Sequence, residues 1–162
     1  HPNHILAGKR IKLGMEYSNQ LYHTPLPEFQ KKIIREIKKI HKDGAEFYEE
    51  GIYLPLNPVT KTIIRKLGIT TILGSNFSCY KKAIVSINGF DEDYTRPAVG
   101  EDHDLVWRFK GLGYQIVPVK HFAIQYHLYH KENWTDQSEN LDLYNQKVKM
   151  KNYICLNGIE KL

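Results

Sequence analysis

The sequence predicts an α/β fold. Segments of strand character alternate along the chain with segments of helical spacing, the pattern of that class. Glycines fall where the helical patterns stop, at Asp43-Gly44, Gly68, Asn88-Gly89 and Gly113. The composition is globular, with 162 residues, 41% hydrophobic and 25% charged. A chain of this length buries roughly 68–70% of its extended surface on folding.

The elements follow in order. Ile5-Leu6-Ala7 and Arg10-Ile11-Lys12-Leu13 flank Gly8-Lys9 and predict an early strand ending at Gly14. Pro25 and Pro27 open a helix in which Phe29, Ile33, Ile37 and Ile40 share one face. Residues 45–57 carry Gly51 and Pro55 and read as an irregular connection before Pro58. Val59 to Leu67 is a second helix. Ile69 to Leu73 is β-branched and apolar, a buried strand, and Gly74-Ser75-Asn76 is its turn. Tyr80 to Ile87 is a short helix, Phe90 to Gly100 a loop, and Glu101 to Leu112 a helix with Leu105, Phe109 and Leu112 on one face. Tyr114 to Val119 and Phe122 to His127 are strands, and Leu141 to Ile154 is a closing helix.

No apolar run approaches the ~18 residues of a membrane span. Cys79 and Cys155 suggest neither a disulfide framework nor a zinc knuckle, and fit a reducing compartment. A balance of 23 Lys+Arg against 18 Asp+Glu gives +5, which suits an anionic partner. Nucleic acid is not expected, because no recognition helix or base cluster interleaved with aromatics is visible. The sequons Asn76-Phe77-Ser78 and Asn133-Trp134-Thr135 are read as chance.

Three constellations carry chemistry. Gly100-Glu101-Asp102-His103-Asp104-Leu105 places three carboxylates at a helix start. Acids there favour the helix dipole and cap free N–H groups, and Asp104 can pair with Arg108 one turn on. A carboxylate held there is also suited to general-base work. His121, His127 and His130 surround two strands. Neutral imidazole is a common metal ligand, but a three-residue spacing in a strand points His127 and His130 to opposite faces. A hydrogen-bonded structural role is the plainer reading of each. Asp-x-Asp, a pattern that can clamp a cation on a diphosphate, occurs as Asp91-Glu92-Asp93 and Asp102-His103-Asp104. Neither follows a buried strand, so the first reads as turn chemistry and the second as helix start.

Taken together, Leu73-Gly74-Ser75-Asn76-Phe77-Ser78, Tyr80-Lys81-Lys82, Ile87-Asn88-Gly89-Phe90-Asp91-Glu92, the run Gly100 to Phe109 and Gly111-Leu112-Gly113 resemble the C-terminal, acceptor-side half of GT-A-fold glycosyltransferases. The likeness is to family 2 enzymes and to the C-terminal domain of β-1,4-galactosyltransferases. Ala123 to Glu132 resembles the next strand of that fold, which ends in a metal-binding histidine, and its His-Leu-x-His-x-Glu wording is similar to bacterial enzymes of surface-polysaccharide synthesis. The likeness covers residues 69–134 strongly and the rest weakly.

The resemblance implies a fold and a set of roles. The fold is the C-terminal portion of a nucleotide-diphospho-sugar transferase, a mixed sheet flanked by helices. Residues 1–162 form a single domain whose nucleotide-binding half is missing, since His1-Pro2-Asn3 resembles the stretch just past the family's Asp-x-Asp strand. Asp102 matches the base that deprotonates an acceptor hydroxyl in an inverting displacement, and Glu101 matches the acid that contacts the acceptor sugar. Gly74 and Asn76 lie where substrate approaches. His127, with His130 as second choice, matches the ligand of a divalent metal, manganese in the family. The implied partners are a nucleotide-sugar donor, a glycan or lipid-linked glycan acceptor and the inner face of the plasma membrane, with a cytoplasmic location. This segment alone is expected to bind nucleotide-sugar weakly. The rival reading is a non-catalytic carbohydrate- or phosphosugar-binding module of the same fold.

Overall fold

The computed structural model describes residues 1–68, 71–96, 100–131 and 136–162. Its contacts divide into two compact units. Unit 1 comprises His1–Ala7, Gly68–Pro118 and Asn133–Leu162, and unit 2 comprises Gly8–Leu67 and Val119–Glu132.

In unit 1 the central strand is β1 (His4–Ala7). It pairs in parallel with β4 (Gln115–Pro118) and antiparallel with β3 (Phe77–Ser78), giving a small mixed sheet in the order β3-β1-β4. Ile5 and Ala7 are fully buried while Leu6 between them is exposed, the alternation a one-faced strand requires. They pack with Ile72, with Ala83 of α5 (Lys81–Ser86), and with Leu105 and Phe109 of α6 (Glu101–Gly111). Each of the isoleucine, leucine and phenylalanine side chains among them contributes about 1.5–3 kcal/mol when fully buried. α7 (Ser138–Met150) begins after Asp136, whose carboxylate accepts the Ser138 N–H and hydroxyl.

Unit 2 is built on a parallel pair, β2 (Lys9–Lys12) with β5 (Ile124–His127), in the register Ile11↔Tyr126 and Lys12↔His127. Its core gathers Ile11, Leu13, Tyr17, Phe29, Ile33 and Ile40. Around it lie α1 (Met15–His23), α2 (Leu26–Arg35), α3 (Ile37–Lys42), a 3-10 turn at Tyr48–Gly51 and α4 (Pro58–Leu67).

Several sequence expectations are corrected. The early strand is two strands that serve separate sheets, with the boundary between units falling at Gly8. Helix α1 was not expected because only Tyr17 and Ser18 on it are buried, too few for a readable stripe. Its free N–H groups are taken by Asp43, a residue distant in sequence, through the backbone of Glu16 and Tyr17. The single helix expected from Pro25 to the stop at Asp43-Gly44 is broken at Glu36, whose φ and ψ of −115° and 23° leave the helical region. The Glu36 carboxylate there accepts the Tyr17 hydroxyl at 2.6 Å.

The strand expected at Ile69 to Leu73 falls partly outside the described residues. Residues 71–73 are not strand, although Ile72 is buried. The closing helix starts earlier and ends at Met150, because Lys151 adopts a left-handed φ of 54°. A glycine would have announced that stop; a lysine did not. Part of the loop before Gly100, including Pro97, and the sequon at Asn133 with Trp134 lie outside the described residues.

Candidate functional site

Unit 1 carries the acidic group. Helix α6 starts at Gly100, whose φ is 103°. A side chain there would be strained, and a Cβ would come within 2.8 Å of the Tyr94 ring. The three carboxylates that follow have three different fates.

Asp104 points into the core and is fully buried. Arg108, equally buried one turn on, donates Nε–H to its Oδ2 at 2.6 Å, and Nη2 lies 2.6 Å from the same oxygen. Arg108 Nη1 also donates to the carbonyls of Ile87 and Gly89 at 2.7 and 2.9 Å, tying α6 to the end of α5. Burial pushes the Asp104 carboxyl up and the Arg108 guanidinium pulls it back. The pairing read from the spacing is therefore present, in a buried and structural form.

Asp102 is half-buried and aims its Oδ1 at Gly74, whose backbone N–H donates to it at 2.7 Å. A Cβ at Gly74 would sit 2.6 Å from that oxygen, so the approach depends on glycine. No hydrogen bond of Asp102 Oδ2 is seen among the described residues. A carboxylate steadied through one oxygen leaves the other to accept a proton. Glu101, also half-buried, is raised above the ordinary carboxylate range, first by burial and then by the Asp102 charge. Asn76 closes the turn after Leu73, donating its N–H to the Leu73 carbonyl at 2.9 Å. The structure thus gathers Gly74 and Asp102 directly, with Glu101 beside Asp102 in sequence.

The other Asp-x-Asp triplet is neutralised. Lys147 of α7 donates to Asp91 Oδ2 at 2.5 Å and to Asp93 Oδ2 at 2.6 Å. Asn157 donates to Asp93, and Lys161 to Glu92. The Lys147 and Asn157 hydrogen bonds hold the Asp93 carboxyl below its usual range. The preceding Asn88-Gly89 clasps the C-terminal segment. Asn88 donates its amide to the carbonyls of Cys155 and Glu160, and its Oδ1 accepts the Glu160 N–H. The Asn-Gly-Phe-Asp-Glu wording is a docking turn for the chain's own end. Sequence reasoning missed Lys147, Asn157 and Lys161 because no local pattern links them to the triplet.

Unit 2 carries the histidines. His127 ends β5, and its backbone carbonyl accepts the Leu13 N–H at 2.9 Å. The expected divergence of His127 and His130 is overturned. The strand stops at His127, so the alternation of a strand does not govern His130. Tyr129 N–H donates to the buried Ser18 hydroxyl at 2.7 Å and fixes that path. The two Nε2 atoms come to 2.9 Å from one another. They line a cavity of ≈ 280 Å³ with Lys12, Glu46 and Lys131, in which Lys12 and Glu46 form an ion pair at 3.3 Å. His121 is structural, as the plainer reading held: its Nδ1 lies 2.8 Å from the Ile52 carbonyl. Ser18 is a second residue that sequence reasoning missed.

The histidine pair fits two positions of a metal site. Nitrogens on metal bonds of about 2.1 Å at right angles sit about 3 Å apart. No group of three His, Cys, Asp or Glu able to hold an ion is present among the described residues.

Comparison with known proteins gives two likenesses. Residues 58–131 match the family described as the N-terminal domain of galactosyltransferase. A galactofuranosyl glycosyltransferase of Leishmania donovani is 44% identical over 59 residues, covering 36% of this chain and 12% of that protein. The chain thus corresponds to a small share of that relative's length. No solved structure matches. Glu101, Asp102, Gly74, Asn76, His127 and His130 all fall inside the matched stretch 58–131. Both comparisons support a transferase, and residues 58–131 form a glycosyltransferase-like segment.

Proposed function

We propose that this chain is the acceptor-side part of a GT-A-fold glycosyltransferase that moves a sugar from a nucleotide-diphosphate donor to a glycan hydroxyl with inversion. The observation that carries the reading is the Gly74 N–H to Asp102 Oδ1 contact at 2.7 Å. It steadies one oxygen of a half-buried carboxylate at a helix N-terminus. Asp102 Oδ2 accepts the acceptor hydroxyl proton as the hydroxyl oxygen attacks the anomeric carbon, and the nucleoside diphosphate leaves with the bonding electrons. Glu101, beside it, holds acceptor hydroxyls, and the turn 74–76 borders the substrate.

On unit 2, His127 and His130 are the residues that would hold a divalent cation such as manganese. Bound, it would offset the charge of a leaving diphosphate. Support for a sugar substrate comes from the names of the two matches, both of which concern galactose units. UDP-activated galactose, in either ring form, is therefore the first donor to test. A role in bacterial surface-polysaccharide synthesis rests on the His-Leu-x-His-x-Glu wording alone.

The test is a transfer assay of the full-length protein with UDP-galactose or UDP-galactofuranose and sugar acceptors. Asp102→Asn should lower turnover by at least about a hundredfold with donor affinity nearly unchanged. A folded variant retaining most of its turnover removes Asp102 as the base. Manganese titration by calorimetry reads the histidines separately from activity. His127→Ala and His130→Ala should each weaken binding, and His121→Ala should not. Equal effects of all three substitutions would remove the pair as ligands.

A further inference from the structure

Among the described residues, helix α4 (Pro58–Leu67) presents an uncovered apolar surface. Of its ten residues only Ile64 is buried. Val59, Ile63 and Leu67 recur every fourth position, and Leu56 is exposed just before the helix. Their exposures are 68%, 50%, 59% and 67%. A stripe with this spacing is one that helices ordinarily bury.

The helix start is capped from its own sequence. Asn57 Oδ1 accepts the N–H groups of Val59 and Thr60, both at 3.0 Å. The Thr60 hydroxyl returns to the Asn57 N–H at 3.1 Å, and Pro58 occupies the first turn. The exposed stripe therefore sits on a self-capped helix.

The charge around it is one-sided. Lys61, Arg65 and Lys66 are the charged residues of α4, and none is acidic. From Gly51 to Phe90 the sequence contains no Asp or Glu at all. At 100° per residue Lys66 borders the stripe. Lys61 and Arg65 lie behind it, about one Debye length (~8–10 Å) from any plane on which the stripe rests. An anionic lipid surface complements both features at once, taking the apolar stripe into the acyl boundary and Lys66 at the headgroups, with Lys61 and Arg65 on the polar side within about one Debye length of the anionic surface.

We propose that α4 is a membrane-surface helix that docks this chain on anionic lipid, lying in the interface plane through Leu56, Val59, Ile63 and Leu67. Among the described residues no helix is long and apolar enough to cross a membrane, so the contact is peripheral. The proposal goes beyond the sugar-transfer reading and stands or fails independently of it.

The test is co-sedimentation of the full chain with vesicles of phosphatidylcholine alone and with phosphatidylglycerol added. Wild type should pellet with the mixed vesicles and be released as salt rises. The triple variant Val59→Gln, Ile63→Gln, Leu67→Gln should lose at least about tenfold in vesicle affinity. A second variant, Lys61→Gln, Arg65→Gln, Lys66→Gln, should lose the preference for phosphatidylglycerol. All six substituted residues are exposed, so unfolding midpoints should stay close to wild type, and these are measured alongside. Failure of wild type to bind mixed vesicles overturns the proposal, as does binding by both variants at wild-type affinity and lipid preference. A concentration-dependent dimer lost in the glutamine-stripe variant, with no vesicle binding, assigns the face to a second copy instead.

Discussion

The chain spells Asp-x-Asp twice within unit 1, and the two triplets do opposite things. Asp91-Glu92-Asp93 meets Lys147, Asn157 and Lys161, so that every one of its carboxylates has a cation within bonding range. Asp102-His103-Asp104 divides its carboxylates. Asp104 turns inward to Arg108, and Asp102 stays at the rim on a single backbone N–H. A carboxylate with a cation in bonding range is a structural part. One held through a single oxygen by a backbone N–H leaves its second oxygen open to a reacting proton. The difference lies in what the rest of the fold delivers to each triplet, which the three letters do not encode.

Breaking the second triplet's inner pair should give the largest effect. Arg108→Met leaves the Asp104 carboxylate buried with the Tyr94 hydroxyl at 3.4 Å as a weak remaining partner, and frees the Ile87 and Gly89 carbonyls. Unfolding by denaturant should show a loss of about 3–5 kcal/mol. A loss below about 1 kcal/mol would mean that the pair is not the node that joins α5 to α6.

Next is Asp102→Asn, with its hundredfold fall in turnover, equivalent to about 2.7 kcal/mol of transition-state stabilisation. Its folding stability should move by less than about 1 kcal/mol, because asparagine keeps the acceptor for the Gly74 N–H. That combination, activity lost and fold kept, is the mirror image of the Arg108 result and sharpens the contrast between neighbours two residues apart. Gly74→Ala should lower turnover in the same direction by pushing Asp102 Oδ1 aside, with the fold retained.

Lys147→Met tests the first triplet. Asp91, whose side chain is 1% exposed, would lose its cation, at a cost of about 1–3 kcal/mol. The pH dependence gives a second readout. The folded carboxyl of Asp93 is lowered, so the native state binds fewer protons than the unfolded chain through the carboxylate range. Stability therefore rises with pH there, and is lost as pH falls through the lowered folded value. Lys147→Met should flatten that acid limb, as followed by urea midpoints on descending pH. The smallest effect belongs to Lys161→Ala. Its pair with Glu92 is about 60% exposed on both sides, and such pairs contribute about 0–1 kcal/mol.

The histidines teach the same lesson on unit 2. His127 was recognisable as the end of an apolar strand, and β5 does end there. Its meeting with His130 was not foreseen, because the strand period forbids it for as long as the strand continues. The path beyond the strand is set by Ser18, which holds the Tyr129 N–H from a helix that itself had no readable stripe. A serine far back in the chain has no sequence signature for that task.

What the sequence determined by itself is the local part of this protein. The periodicity placed α4, α5, α6 and α7 and the strands β4 and β5 to within a few residues, because helical and strand spacings are properties of short stretches. The Asp104–Arg108 pair was readable from its spacing, and the helix start that presents Asp102 was readable from its acids and from Gly100. Tertiary structure decided the rest. It split one apparent strand between two sheets, stopped a helix at a lysine, cancelled one Asp-x-Asp with cations from the chain's end, and set a glycine N–H against Asp102. Each of these depends on which distant backbone or charge arrives within hydrogen-bonding distance. That is fixed by packing around the buried cores and is invisible to any pattern confined to neighbouring residues.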